Sequence, residues 1–275
     1  MLTYYTSEKI NDHMTAIRSM TGEILYLIEG TDRAVLIDTC LGVGNLRKFV
    51  ETLTDKPITV LLTHGHVDHA MGAPEFDDVY MNHKDIEIYE KMRGVEERIG
   101  YIKTILGDHA PEIKNEDLVP STKMEFKELK DGDCFYLGKV TIEVYALAGH
   151  TPGSMVMLVP EERLLILGDA CNQATFLFDQ DALTVKKYRQ NLLTLQEKLE
   201  GRFRGVCLCH HVITASSNMM KSVIKVCDEI LAGKADDIPY EFMGQQAYIA
   251  KSINEKFERM DGGEGNIIYD KSKII

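Results

Sequence analysis

The segment His64-Gly65-His66-Val67-Asp68-His69 constrains this chain more than any other. It sets three imidazoles and a carboxylate within six residues, directly after the apolar run Ile58-Thr59-Val60-Leu61-Leu62. A short run of that composition reads as a buried strand. Four polar side chains at the mouth of such a strand are poor packing material. Imidazole and carboxylate together suit zinc, iron or manganese. The spacing adds geometry, because an extended backbone sends His64 and His66 to one side. Asp68 and His69 follow where the chain turns into a helix, so they point elsewhere. Two adjacent metal ions fit that pattern better than one.

Three later segments supply what a pair of ions needs. Ala148-Gly149-His150-Thr151-Pro152-Gly153-Ser154 carries a histidine in a Gly/Pro-rich turn. Leu164-Leu165-Ile166-Leu167-Gly168-Asp169-Ala170 ends an apolar strand in Gly-Asp, and Val206-Cys207-Leu208-Cys209-His210-His211 ends another in a histidine pair. Each lies at the end of an apolar run, where a sheet delivers side chains into a cleft. A lone histidine after a strand is more often structural than a ligand. The full set in this order is a joint signal.

Together these segments resemble the metallo-β-lactamase superfamily, from about Gly22 to His211. Leu36-Ile37-Asp38-Thr39 followed by Gly42 is similar to the family's early strand and Asp-containing turn. The resemblance implies an α/β fold, an αββα sandwich of two mixed sheets with outer helices. It implies one metal held by His64, His66 and His150. It implies a second held by Asp68, His69 and His210, with Asp169 bridging. His66 stands where the similar flavodiiron proteins place Glu, and no sequence remains for a flavin domain. Two zinc ions are therefore expected, with iron and manganese as the alternatives. His210 aligns with the last ligand by register; His211 replaces the glycine usual in the family.

Two Lewis-acid ions sharing a carboxylate can share a water, whose pKa coordination lowers from about 15.7 to about 7. The expected chemistry is hydrolysis by a hydroxide bridging the two ions, with no covalent role for Ser154 or Cys171. Asp68 is the candidate catalytic residue, orienting the water or shuttling a proton. Asp38 is a candidate to accept the other N–H of a metal-binding histidine, or simply to cap the turn after its strand. Asp169 sets the chain apart from true zinc β-lactamases, which lack the bridging Asp, and favours the thioesterase, lactonase and phosphodiesterase branches. The tyrosine that similar lactonases carry just after it is replaced here by Ala170-Cys171-Asn172-Gln173. The expected substrate is a small ester-like molecule, a thioester, lactone or relative. The alternatives are a phosphodiesterase or nuclease on the same site, an iron-dependent dioxygenase of the same fold, or a protein that merely retains metal.

Bulk properties narrow the partners. The formal net charge of −12 argues against nucleic acid or an anionic membrane as a general partner. No apolar stretch is long enough to span a bilayer. Met1-Leu2-Thr3-Tyr4-Tyr5 has neither a basic region nor an apolar core, so no signal peptide is read and a cytoplasmic location is expected. The six cysteines lack the spacing of a disulfide framework and read as reduced thiols. Nothing bears on oligomeric state.

We expect a single domain over residues 1–275, with a helical insertion at about 84–122 and a C-terminal extension at about 235–275. The periodicity predicts strands at 24–28, 33–37 and 58–62, and a helix over 42–53. One or two helices are expected over 84–108, either a lid or a packed outer pair. Short strands are expected at 124–126, 134–137, 140–144, 155–159, 163–167 and 266–269, and amphipathic helices over 184–200 and 216–232.

Overall fold

The computed structural model describes residues 2–275. The chain divides into two compact units, one ending at Glu143 and one running from Val144 to Ile275. Among the described residues no helix is long and apolar enough to cross a membrane.

The first unit is built on a seven-stranded sheet. Its strands are β1 (Tyr5–Lys9), β2 (Met14–Ser19), β3 (Ile24–Glu29), β4 (Ala34–Ile37), β5 (Ile58–Leu61), β6 (Val79–Met81) and β7 (Lys127–Glu128), in spatial order β1 to β7. The first four pair antiparallel; from β4 onward the neighbours are parallel, so the sheet is mixed. All four residues of β4 are buried, as are Thr59, Val60 and Leu61 of β5, as befits strands covered on both faces. After Tyr5, β1 is exposed and ends in Glu8 and Lys9, charges that blunt an edge strand. The helix expected over 42–53 is only α1 (Leu46–Val50). Gly42 and Gly44 hold φ of +64° and +76°, so the helix cannot start before Asn45, whose side chain accepts from the Lys48 N–H at 2.8 Å.

A single turn, α2 (Val67–Ala70), carries Asp68 and His69. The insertion forms two helices, α3 (Ile86–Met92) and α4 (Val95–Leu106), broken at Gly94. The strand expected at 124–126 lies at Lys127–Glu128 instead, paired with Tyr80 and Met81. Phe126 is drawn to the edge of the Tyr89 ring, with centroids 4.8 Å apart. The unit ends in a hairpin of β8 (Cys134–Tyr136) and β9 (Thr141–Ala146), the latter crossing the unit boundary.

The second unit continues with β10 (Met155–Val159), β11 (Leu164–Ile166), β12 (Thr175–Leu177), α5 (Val185–Lys198), β13 (Gly205–Cys207), β14 (Thr214–Ser216), α6 (Met219–Leu231), β15 (Ile238–Phe242), β16 (Gln245–Ile249) and β17 (Ile267–Tyr269). β10 and β11 pair antiparallel, β11 and β13 parallel, β13 and β14 antiparallel, giving a second mixed sheet. Helices α5 and α6 close its core. Val185, Tyr188, Leu192 and Leu195 of α5 and Met219, Val223, Val226 and Ile230 of α6 follow helical spacing and are buried together. A third sheet, in the order β12-β17-β16-β15, is formed largely by the C-terminal extension. Only its 266–269 strand is expected from the sequence.

One buried cation ties the insertion to the loop that follows β4. Arg98 of α4 is 1% exposed. Its Nε donates to the Leu41 carbonyl at 2.7 Å, Nη1 to that of Val119 at 2.6 Å, and Nη2 to that of Gly42. Arg98→Leu strands these acceptors in a dry environment. Urea denaturation should show a loss of about 3 kcal/mol or more, against a surface control such as Lys103→Leu.

Candidate functional site

The first unit's candidate residues gather around Asp38. Ile37 and Leu61 are register partners at the ends of the parallel strands β4 and β5, so the chain leaves both strands at one place. Asp38 follows with φ of +65°, a left-handed conformation that Asp tolerates better than most residues. Its Oδ1 accepts from the Thr63 N–H at 2.7 Å. Its Oδ2 lies 2.7 Å from the Thr63 hydroxyl and 2.8 Å from Nδ1 of His69.

These contacts fix proton positions. An ionised carboxylate only accepts. The Thr63 hydroxyl therefore spends its one proton on Asp38 and accepts from His64 Nδ1–H at 3.0 Å. His69 likewise donates its Nδ1–H to Asp38. In both neutral rings the lone pair is left on Nε2, the atom a metal ligand needs. The rings are close: the His64 centroid is 4.8 Å from that of His66 and 4.2 Å from that of His69.

Gly65 is required between the two histidines. A Cβ there would lie 2.6 Å from the Asp85 carbonyl oxygen, while the Gly65 N–H donates to the Asp85 carboxylate at 3.1 Å. Asp68 accepts at Oδ2 from the Tyr101 hydroxyl at 2.8 Å. The insertion thus holds the histidine loop from two directions.

The second unit assembles a set of its own. His150 lies in a turn braced by α5: Asn191 donates to the Ala148 carbonyl at 2.8 Å, and a Cβ on Gly149 would fall 2.1 Å from the Tyr188 ring. His150 Nδ1 donates to the Phe176 carbonyl at 2.9 Å, which again leaves the lone pair on Nε2. Asp169 follows β11, its Oδ1 accepting from Asn172 Nδ2 at 3.0 Å. Its Oδ2 faces Nε2 of His210 at 3.2 Å and Nε2 of His150 at 3.9 Å. His211 turns elsewhere and stacks on Phe257, with centroids 5.1 Å apart and planes at 25°. Its φ of +63° explains why a glycine suits this position.

The donor chemistry passes a test for a cation. In His69 and His150 the Nδ1 proton is committed, yet Nε2 faces a carboxylate oxygen, Asp68 Oδ2 at 3.5 Å and Asp169 Oδ2 at 3.9 Å. Two electron-rich atoms so placed repel unless a positive charge lies with them. His64, His66, Asp68, His69 and His150 are all buried, where that repulsion is little screened.

All seven sequence-predicted residues thus fall into two clusters: His64, His66, Asp68 and His69 in the first unit, and His150, Asp169 and His210 in the second. Asp38 orients a histidine rather than merely capping its turn. Tyr101 and Asn172 were not singled out. Asn172 had a faint local signal, three residues after Asp169; Tyr101 reads in sequence as one more apolar position of an amphipathic helix. Cys171 and Cys207 are packing residues, their thiols pushed up to about 12 by burial.

Mixed α/β sheets with histidine and aspartate clusters at strand ends define a class of metal-binding proteins. The chain belongs to the metallo-β-lactamase superfamily, whose family model matches residues 25–196. It is 24% identical over 200 residues to the acyl-coenzyme A thioesterase MBLAC2 of Homo sapiens, a match covering 66% of this chain and 69% of that protein. It is 28% identical over 147 residues to the uncharacterized protein ML0493 of Mycobacterium leprae, covering 53% of this chain and 65% of that one. In fold it is similar to the metallo-β-lactamase FIM-1 from Pseudomonas aeruginosa in its mono-zinc form, with a TM-score of 0.58, 13% identity, and coverage of 83% of this chain and 96% of that one.

Asp38→Ala should lower affinity for a divalent ion about 10–100-fold, read by competition with a chromophoric chelator. Tyr101→Phe should lower it less, since Asp68 remains charged.

Proposed function

We propose that this chain is a divalent-metal-dependent hydrolase, and that its substrate is a small thioester. The observation that carries the metal-dependent reading is the pair of histidine and aspartate clusters, with Nδ1 of His64, His69 and His150 each held by an acceptor. Support for a thioester comes from the similarity to the human acyl-coenzyme A thioesterase. The residues that would hold divalent ions are His64, His66, Asp68 and His69 of the first unit and His150, Asp169 and His210 of the second. The donors are nitrogen and carboxylate oxygen without thiolate, which suits zinc and also manganese or iron.

Bound divalent ions supply Lewis acidity, making a water acidic enough to ionise near neutral pH. The chain's own residues do the rest. Tyr101 fixes the rotamer of Asp68 through Oδ2, so that Oδ1 is the atom that orients the attacking water and takes its proton. Asn172 does the same for Asp169 through Oδ1. A cysteine nucleophile is not needed: with their thiols near 12, Cys171 and Cys207 stay protonated at neutral pH.

The test combines elemental analysis with a substrate panel of acyl thioesters, lactones and phosphodiesters. Chelation should abolish thioester hydrolysis and added zinc restore it. His69→Ala, which deletes a ligand rather than its support, should lower kcat/KM by at least about 100-fold. Fully metal-loaded protein that cleaves phosphodiesters and leaves thioesters intact would overturn the substrate assignment.

A further inference from the structure

The parallel pairing of β12 and β17 sets Leu177 opposite Tyr269, so the chain leaves both strands at the same end. After β12 comes an irregular turn over residues 178–183 that leads into α5. After β17 comes a short 3₁₀ turn, Lys271–Lys273. Asp270 closes that second turn: its Oδ1 accepts from the Ser272 N–H at 2.8 Å, and its carbonyl accepts from the Lys273 N–H at 2.9 Å. Lys273 is half-buried and reaches the first turn. Its Nζ donates to the Gln180 carbonyl at 2.9 Å, to the Ala182 carbonyl at 3.3 Å, and to the Asp179 carbonyl. An ammonium carries three protons and no acceptor, so three carbonyls use it fully. The Asp179 carbonyl also accepts from the Ala182 N–H at 3.0 Å, which folds the turn back on itself. Carbonyl oxygens gathered in this way are what a monovalent cation takes in place of its water shell.

The same stretch of chain holds the His150 turn at two points. Before it, the Phe176 carbonyl accepts from His150 Nδ1 at 2.9 Å. At its end, the Leu183 N–H donates to the Gly149 carbonyl at 2.8 Å. An irregular turn has no ladder of its own to fix the distance between two such contacts, and Lys273 crosses it with three hydrogen bonds. Resting on the reading of His150 as a metal-binding residue, we propose that the carbonyls of residues 179–182 form a monovalent-cation site, that the Lys273 ammonium fills it from within the chain, and that Lys273 is thereby a positioning residue for His150. Lysine suits this place as a compact point charge with rotatable donors, where the flat fork of arginine would not converge. A cation tethered three residues from its turn also stands at a high effective concentration, so free ions in solution do not displace it.

The experiment compares the parent with Lys273→Met in three salts of equal ionic strength: potassium, ammonium and tetramethylammonium chloride, the last cation being too large for the turn. Two quantities are read, hydrogen exchange of the Leu183 amide by NMR and affinity for a divalent ion by competition with a chromophoric chelator. In tetramethylammonium the variant's Leu183 amide should exchange at least about tenfold faster than the parent's. Its divalent affinity should fall about tenfold, the low end for a lost support. Potassium or ammonium should recover each loss by about fourfold once the ion stands at about three times its dissociation constant. The parent, its site filled by its own lysine, should respond alike to all three salts. Lys271→Met, on the same segment, should match the parent. Lys273→Gln, a milder change, should repeat the pattern at smaller amplitude and guards against a folding defect in the first variant. If both Lys273 variants keep the parent's Leu183 exchange or its divalent affinity, or if their losses are equal in all three salts, the inference falls. If the parent binds no divalent ion while Leu183 exchange in the variants still follows the cation, the metal-binding reading of His150 falls and the cation site stands.

Discussion

The geometry of the first unit depends on one carboxylate. Asp38 is buried at 2% exposure and accepts from three donors: the Thr63 amide, the Thr63 hydroxyl and the His69 ring. Hydrogen bonds to a charged acceptor contribute about 1.5–3 kcal/mol each, against a desolvation cost of several kcal/mol for the ion. The balance is close, so stability alone is a weak reason to bury it. What Asp38 achieves is orientation. Through Thr63 it sets the tautomer of His64, and directly it sets that of His69. The parallel pairing of β4 and β5 makes this possible, because it brings the ends of both strands to one place. An antiparallel partner would have carried Thr63 to the far end.

The candidate metal-binding positions stand out in the sequence because each follows an apolar strand closely, and short-range spacing is what a sequence displays. The supporting residues were not, because they come from far away in the chain. Tyr101 and Asp85 reach the histidine loop from the insertion, and Arg98 fastens that insertion through carbonyls more than fifty residues earlier as well as nearby. Such contacts have no local signature. That His210 faces Asp169 while His211 stacks on Phe257 goes with a backbone angle at His211 that a single sequence does not record.

The fold was legible where strands are apolar and illegible where they are polar or short. β1 reads Tyr-Thr-Ser-Glu-Lys and buries only its first residue. β15 contains Pro239, which ordinarily argues against a strand. β16 begins Gln-Gln, and β12 has only three residues. The third sheet was missed for these reasons. Helix ends failed for a different one: positive φ at Gly42 and Gly44 cut short a helix whose apolar spacing looked longer.

The insertion and the third sheet share a manner of working. Each adds a support to a metal-type residue, the first through the Tyr101 hydroxyl on Asp68, the second through the Phe176 carbonyl on His150. The two supports differ in what they demand of the sequence. Tyr101 acts through its side chain, so Asp68 loses its donor when that residue changes. Phe176 acts through its backbone, which any residue supplies. Position 176 can therefore change its side chain while His150 keeps its acceptor, provided the three-residue strand still pairs with β17. Orientation of His150 and the packing of the side chain at 176 are thus separable. A scaffold built in this way can exchange apolar contacts for others without disturbing the nitrogen that faces Asp169.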